Sequence, residues 1–416
     1  MCNKAKAIVL GGTVPHIELI KQLQGRGYYV ILVDYLENPV AKPFADEHII
    51  ESTLDKDAVL AIAIQNDVEL VIATCIDQAN ATACYVLEKL NKPYPYSYQI
   101  ALDVTVKSLM KQKMRDNNIP TSNFIIYDYN DTLSEIDLKF PLVSKPVDAN
   151  SSKGVMMAND LAELQRNILI AFKCSERKQI VVEEFVSGNE IQIDCYVDSK
   201  GETKILMTRQ KRRLKSQDGV ELQSNGSCIP ACVSSKVADQ LPLIASKIAE
   251  AFQLRRTPFF IQAICDDENI KVLEFAPRIG GGTSFLNIKE FAGIDIISAA
   301  IDSYLGKEHP IIIKNNKYVY ATNMLYVYSA TFDRLVGFEE MLAQNMIVDF
   351  CISKTSGSFI SDNMSSTNRV ATFTVKALSY DELKNKVKYV LGNIEAYDID
   401  GNKILRKDII EKSYNY

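Results

Sequence analysis

The 416-residue sequence has no tryptophan, only three histidines and no marked excess of either charge. His16, His48 and His309 stand far apart, so chemistry that turns on a histidine is not expected, and each reads as a structural or surface residue. Lysine and arginine total 47 against 52 acids, a formal net charge of −5. Without a basic excess, neither a broad nucleic-acid surface nor attachment to an anionic membrane is expected, and the partners should be small molecules. No apolar run reaches the length of a membrane span. The first, Ala7-Ile-Val-Leu10, is short and leads into Gly11 and Gly12, which does not fit a signal peptide, so the expected location is cytoplasmic.

The 9 cysteines are scattered and odd in number, a pattern of reduced thiols rather than a disulfide framework. Cys228 and Cys232 are the only close pair. No histidine or further cysteine stands near them, so a zinc site is not expected. There is no internal repeat, no low-complexity tract and no biotin-attachment lysine between methionines.

What is present suits a folded protein of two or three domains, with 47% hydrophobic and 24% charged residues. Over residues 5–100, strand-like runs (Lys6-Ala-Ile-Val-Leu10, Tyr29-Val-Ile-Leu-Val33, Leu70-Val-Ile-Ala73) alternate with helix-like ones, which predicts a doubly wound α/β domain with a parallel sheet. The Gly11-Gly12 turn and Asp34 invite a dinucleotide reading. The full glycine fingerprint is missing, so a tight strand-to-helix turn is the expectation. A proline-rich connection, Asn91-Lys-Pro-Tyr-Pro-Tyr96, marks the first boundary.

Beyond it, residues 101–117 read as one helix with Lys107 and Lys111 on a face, by themselves no more than a solvated pair. Phe140-Pro-Leu-Val-Ser-Lys145 is a strand ending in a lysine. It leads into the small-residue loop Asn150-Ser151-Ser152-Lys-Gly154, whose exposed amides together with a point charge could cradle phosphate, although the spacing is not that of a P-loop. Ile180-Val-Val-Glu-Glu184 reads as a buried strand entering a turn. The backbone near Val186 could pair with a purine, with Glu184 accepting from its amino group and Glu190 from ribose hydroxyls. Thr208 to Lys215 packs five cations into eight residues, either a solvated loop or one that clamps anions.

The stretch Lys271-Val-Leu-Glu274-Phe-Ala276-Pro-Arg278-Ile-Gly-Gly-Gly-Thr283 ends a strand in an acid, follows it with a guanidinium and opens into glycines. Gln262 should lie on the neighbouring strand of a hairpin turning at residues 266–269, so that Gln262 and Glu274 address one ion. Oxygen donors of this kind suit magnesium, with manganese as the alternative. The last hundred residues read as a small α+β unit.

In order, these motifs resemble the ATP-grasp superfamily, in particular the ATP-binding modules of the carbamoyl-phosphate synthase large chain, biotin carboxylase and bacterial L-amino-acid ligases. The resemblance implies an N-terminal pre-ATP-grasp domain (1–100), a central α+β ATP-grasp domain (101–310) with a lid at about residues 120–188, and a C-terminal closing domain (311–416). It implies ATP as the cofactor-like substrate, contacted by Lys107, Lys145, Ser151, Ser152, Gly154, Glu184, Val186 and Glu190, and metal ligation by Gln262 and Glu274. Arg278 would steady an acyl phosphate and, with Lys145, act in catalysis. The implied activity is carboxylate–amine ligation on amino-acid-like substrates, and dimers are common in the resembling families, so a homodimer is an expected assembly. Two alternatives stay open: a purine-pathway ligase or carboxylase, and a nucleotide-binding regulatory module without turnover. The second arises from Ala276, where the family usually has an asparagine ligand that a methyl group cannot replace.

Overall fold

The computed structural model describes residues 4–131, 136–149, 153–213, 224–361 and 368–413. Lys6–Leu10 (β1), Tyr29–Asp34 (β2), Glu47–Ile50 (β3) and Val68–Ile72 (β4) pair in parallel in the order β3-β2-β1-β4. Helices Val14–Gly25 (α1), Lys56–Gln65 (α2) and Asp77–Lys89 (α3) alternate with them. Continuous apolar runs are what a parallel strand covered on both faces requires, and Ala7 to Leu10 and Val30 to Val33 are wholly buried. The turn after β1 is tight. Gly12 donates its amide to Asp34 Oδ2 at 2.7 Å while Leu36 donates to Oδ1 at 2.8 Å, so backbone groups occupy that carboxylate.

Residues 101–117 do not form the single helix expected. Tyr98–Thr105 (α4) and Lys107–Asp116 (α5) are separated at Val106, which is extended (φ −88°, ψ 110°). The Thr105 hydroxyl donates to Ala101 O at 2.7 Å, and a buried β-branched residue follows it, a combination that weakens helix continuation.

A small antiparallel sheet comes next, built from Phe124–Asp128 (β5), Leu142–Pro146 (β6), Met156–Ala158 (β7) and Gln179–Glu184 (β8) in the order β5-β8-β6-β7. Helix Leu161–Cys174 (α6) starts on the Asp160 side chain, which accepts from Glu163 N, and covers this sheet over Leu142, Ile180 and Val182.

Among the described residues the central sheet has eight antiparallel strands. Asn189–Val197 (β9), Thr203–Arg213 (β10), Ser224–Ile229 (β11), Thr257–Cys265 (β12) and Ile270–Ala276 (β13) supply most of it, and Val319–Leu325 (β14), Asp349–Ile352 (β16) and Ala371–Ala377 (β18) extend it, in the order β13-β12-β9-β10-β11-β14-β18-β16. Helix Ser235–Ala251 (α7) packs against it. Ser284–Ala292 (α8) and Ile296–Tyr304 (α9) bridge to the N-terminal layer, where Ile297 and Ile301 share one core with Leu19 and Leu23. Each such buried side chain contributes roughly 1.5–3 kcal/mol relative to exposure. Ala330–Val336 (β15), Phe359–Ile360 (β17) and Glu395–Asp398 (β19) form a third sheet, and Phe338–Ala343 (α10), Tyr380–Asn393 (α11) and Lys407–Ser413 (α12) complete the C-terminal part. Among the described residues no helix is long and apolar enough to cross a membrane.

The basic run, read from the sequence as a loop, is the end of β10 as far as Arg213; Lys215 lies outside the described residues. Its alternation explains the difference. Arg209, Lys211 and Arg213 reach the buried acids Asp194 and Glu190, whereas Arg212 bonds Thr322 O and Asn323 Oδ1 on β14. Carboxylates buried in a strand need counter-charges, and the neighbouring strand supplies them at every second position.

Candidate active site

Two clusters of polar side chains stand out, one on the small sheet and one on the central sheet. In the first, Lys145 at the end of β6 puts Nζ 2.5 Å from Glu183 Oε1. Lys111, from α5, puts Nζ 2.6 Å from Glu183 Oε2, and it is completely buried. Thr121 and Ser122 hydroxyls lie 2.6 and 2.9 Å from Lys111 Nζ, and Ser122 donates to Glu183 Oε2 at 2.8 Å. Burial opposes the Glu183 charge, but the two ammoniums outweigh it and bring its pKa down to about 2. Burial and the nearby Lys145 charge together lower Lys111 to about 8 despite its acid partner.

Lys107 takes no part in this cluster. Its Nζ donates to Ala149 O at 2.7 Å, at the entry to the small-residue loop, and its amide donates to Val147 O. Ser151 and Ser152 lie outside the described residues. Gly154 has φ +73°, and a Cβ there would stand 2.9 Å from both Pro146 Cγ and Cys174 Cβ, so the turn out of that loop requires glycine. Glu184 accepts from Asn123 Nδ2 at 2.9 Å and from Lys139 N at 3.0 Å. Two residues on, Val186 makes no backbone hydrogen bond among the described residues.

The second cluster sits on the central sheet. Gln262 and Glu274 are register partners on β12 and β13, as the hairpin reading expects. The Gln262 amide, oriented by its neighbours, donates to Glu274 Oε1 at 2.6 Å and accepts from Lys211 Nζ at 2.6 Å. Lys211 also lies 2.5 Å from Glu190 Oε1, and Arg213 pairs with the other oxygen. A ribose diol at Glu190 would therefore share its carboxylate with two cations. Burial lowers Lys211 to about 8 against the opposing pull of Glu274. The Glu274 charge also acts on Lys111 and Arg278, as the weakest of the influences on each.

Arg278 grips Asp77 with both ends of its fork, Nε to Oδ1 and Nη2 to Oδ2, each at 2.6 Å. It also lies over the Phe260 ring, 5.0 Å from the centroid. This ties the end of β13 to the start of α3. Gly281 O accepts from Ser284 Oγ, which in turn accepts from Arg209, so the glycine loop is anchored to β10.

The donor set tests the magnesium expectation. Among the described residues no three carboxylate, imidazole or thiol groups gather as an all-protein metal cage would require. Ala276 is buried and contributes no donor. Magnesium, however, keeps waters and binds through one or two carboxylates together with substrate phosphates. Glu274 fits an ion delivered on a nucleotide; the Gln262 oxygen, which here accepts from Lys211 Nζ, would join it as a ligand only by turning from that lysine.

The sequence reading passed over Glu183, Asp77 and the role of Lys111. Glu183 and Glu184 are adjacent, and only the register of β8 against Phe124 and Val143 decides which one points inward. Lys111 carried one usable signal, a lysine amid the apolar side of an amphipathic helix.

Residues 138–285 match the model of the ATP-grasp domain family. A D-alanine–D-alanine ligase of Streptococcus uberis is 27% identical over 207 residues, 45% of this chain and 56% of that protein. The chain thus spans little more than half the length of this curated relative, and 33% of a Pediococcus pentosaceus D-alanine–D-alanine ligase. Among solved structures, the L-amino acid ligase of Bacillus licheniformis superposes with a TM-score of 0.77 at 19% identity, covering 95% of this chain and 99% of that one. The biotin carboxylase domain dimer of Hydrogenobacter thermophilus 2-oxoglutarate carboxylase, solved with MgADP and bicarbonate, gives 0.77 at 14% identity and covers 99% of each chain. Residues 138–285, which carry Lys145, Glu183, Gln262 and Glu274, thus match the ATP-grasp domain family, and the fold of nearly the whole chain is that of these solved structures.

Proposed function

We propose that the protein is an ATP-dependent carboxylate–amine ligase acting on amino-acid-like substrates through an acyl phosphate. The observation that carries this reading is the pair of clusters, Lys145 on Glu183 and Gln262 on Glu274, within the segment that matches the ATP-grasp domain family. A substrate carboxylate oxygen attacks the γ-phosphorus of ATP, the bond to the bridging oxygen breaks, and ADP leaves. An amine then attacks the acyl carbon, the carbon–oxygen bond breaks, and phosphate leaves an amide behind.

In this scheme Lys145 and Lys107 hold nucleotide phosphates with the amides up to Gly154, including those of Ser151 and Ser152. Glu184 and Val186 meet the purine, and Glu190 the ribose. Glu183 Oε1 holds the Lys145 ammonium in place at the end of β6. A magnesium ion held by Glu274 and Gln262 would offset phosphate charge when bound. Arg278, fixed by Asp77 and with Nη1 donating also to Ile279 O, would offer its outer Nη hydrogens to the acyl phosphate. Catalysis would rest on positioning and on fixed charges in a site shielded from water, since water would hydrolyse the intermediate. A lid at about residues 120–188 supplies that shielding. The enzyme works free in the cytoplasm, as a homodimer.

A phosphate-release screen of amino acids, singly and in pairs, with magnesium and ATP tests the reading. Release that needs an amino acid supports it. Tight ATP binding without turnover across the whole panel points instead to a regulatory module.

A further inference from the structure

The sheet order β3-β2-β1-β4 reverses direction between β1 and β4, and crevices at such reversals, beyond the carboxyl ends of the strands, are where open α/β sheets receive ligands. Thr13 follows β1 and Cys75 follows β4, so both stand at this crevice. His16, in the first turn of α1, is fully buried beneath them. Its Nδ1 accepts from the Thr13 amide at 3.1 Å, which leaves the ring proton on Nε2. Nε2 lies 3.9 Å from Cys75 Sγ. The Thr13 hydroxyl is 3.0 Å from Nδ1 and 3.5 Å from the same sulfur. Because the amide already occupies the Nδ1 lone pair, the hydroxyl proton is left for the sulfur.

Two donors therefore converge on Cys75, which is partly exposed. Gly11 makes the approach possible: at φ +101°, a Cβ would stand 2.7 Å from Ile76 Cδ1 and 3.1 Å from His16 Cε1. Two residues after the thiol, Asp77 holds Arg278 of the candidate active site. Thr74 Oγ1, buried and without a hydrogen-bond partner among the described residues, lines the same small cavity as Arg278. Burial pushes the Cys75 thiol up, but His16, Thr13 and Arg278 outweigh it and bring the pKa to about 7. Burial instead raises the thiols of Cys84, Cys195, Cys228, Cys265 and Cys351.

We propose that Cys75 is a nucleophile that takes an acyl group from an acyl phosphate as a thioester, with His16 as the positioning residue that holds the sulfur as a thiolate. The ligase reading supplies the source of the acyl phosphate; here the thiolate takes the acyl group first, in place of the amine's direct attack on the acyl phosphate. The thiolate attacks the carbonyl carbon, the carbon–oxygen bond to phosphorus breaks, and phosphate leaves with the electron pair. When an amine attacks the thioester, the carbon–nitrogen bond forms, the carbon–sulfur bond breaks, the amine proton passes to water and the thiolate is restored. No oxidant or reductant is needed.

The test uses the full chain and acetyl phosphate, without ATP. Intact mass and peptide mapping should show an acetyl adduct on Cys75 that neutral hydroxylamine removes, formed at least tenfold faster than on the exposed Cys232. Cys75→Ser should lack it. His16→Gln, confirmed as folded by circular dichroism, should slow acylation about tenfold and move the pH midpoint of Cys75 alkylation by iodoacetamide upward by about one unit. An adduct absent from Cys75, or formed there no faster than at Cys232, overturns the proposal, as does an unchanged alkylation midpoint in His16→Gln for the role of the imidazole. Failure of the ligase reading would appear as absent acid-dependent ADP release and would leave this acylation intact.

Discussion

Glu183 Oε1 lies 2.5 Å from Lys145 Nζ, with both side chains buried, while the second oxygen of the same carboxylate holds Lys111. One acid thus compensates two ammoniums. Replacing it with alanine leaves both uncompensated, and Glu183→Ala should destabilise the fold by about 3–5 kcal/mol in urea denaturation. The pH dependence has a definite sign. The carboxyl falls from 4.5 to about 2 on folding, so its contribution is complete above pH 4.5 and disappears as pH drops through about 2. Glu183→Ala should therefore flatten the acid limb of the stability curve measured by denaturant titration.

Asp349 behaves in the opposite sense. Burial raises its carboxyl from 3.8 to about 6, and its Oδ1 has no hydrogen-bond partner among the described residues. A raised acid contributes fully below pH 3.8 and loses that contribution as pH rises through about 6. At pH 7 Asp349→Asn should be more stable than the parent by about 1–3 kcal/mol, with the difference shrinking towards pH 4. Melting curves at the two pH values decide the matter; a variant less stable at pH 7 would refute it.

The Arg278–Asp77 fork depends on planar geometry as well as charge. Arg278→Lys keeps the charge and loses the bidentate grip and the contact with Phe260. Steady-state kinetics should show kcat/KM reduced about 100-fold, with unfolding almost unchanged. Asp77→Asn, which keeps the guanidinium but loosens it, should have a smaller effect.

Ala276 gives a test of the metal. Ala276→Asn restores an oxygen donor beside Glu274 on the same strand. At fixed ATP the magnesium concentration for half-maximal turnover should fall several-fold. An unchanged magnesium dependence would mean that position 276 does not face the ion.

Much of the architecture was legible because local pattern and tertiary role coincide. The apolar runs Ala7 to Leu10 and Val30 to Val33 read as buried parallel strands, and the hairpin turn at residues 266–269 set Gln262 opposite Glu274. The site was legible only in part. Whether Glu183 or Glu184 faces inward is a matter of sheet register. The cations of β10 looked like a solvated run because the buried acids they serve, Asp194 and Glu190, lie on another strand. The Arg278–Asp77 pair joins residues 201 positions apart, and no local pattern announces such a contact.

The central claim is that a carboxylate is activated by direct phosphorylation before an amine arrives. The most direct measurement supplies an accepted acid whose carboxylate carries isotopically heavy oxygen, together with ATP, magnesium and the amine, and weighs the phosphate released. Transfer of heavy oxygen into the phosphate, in proportion to the amide formed and absent in Lys145→Ala, is the predicted result. Amide formed with phosphate that contains no heavy oxygen would contradict the account.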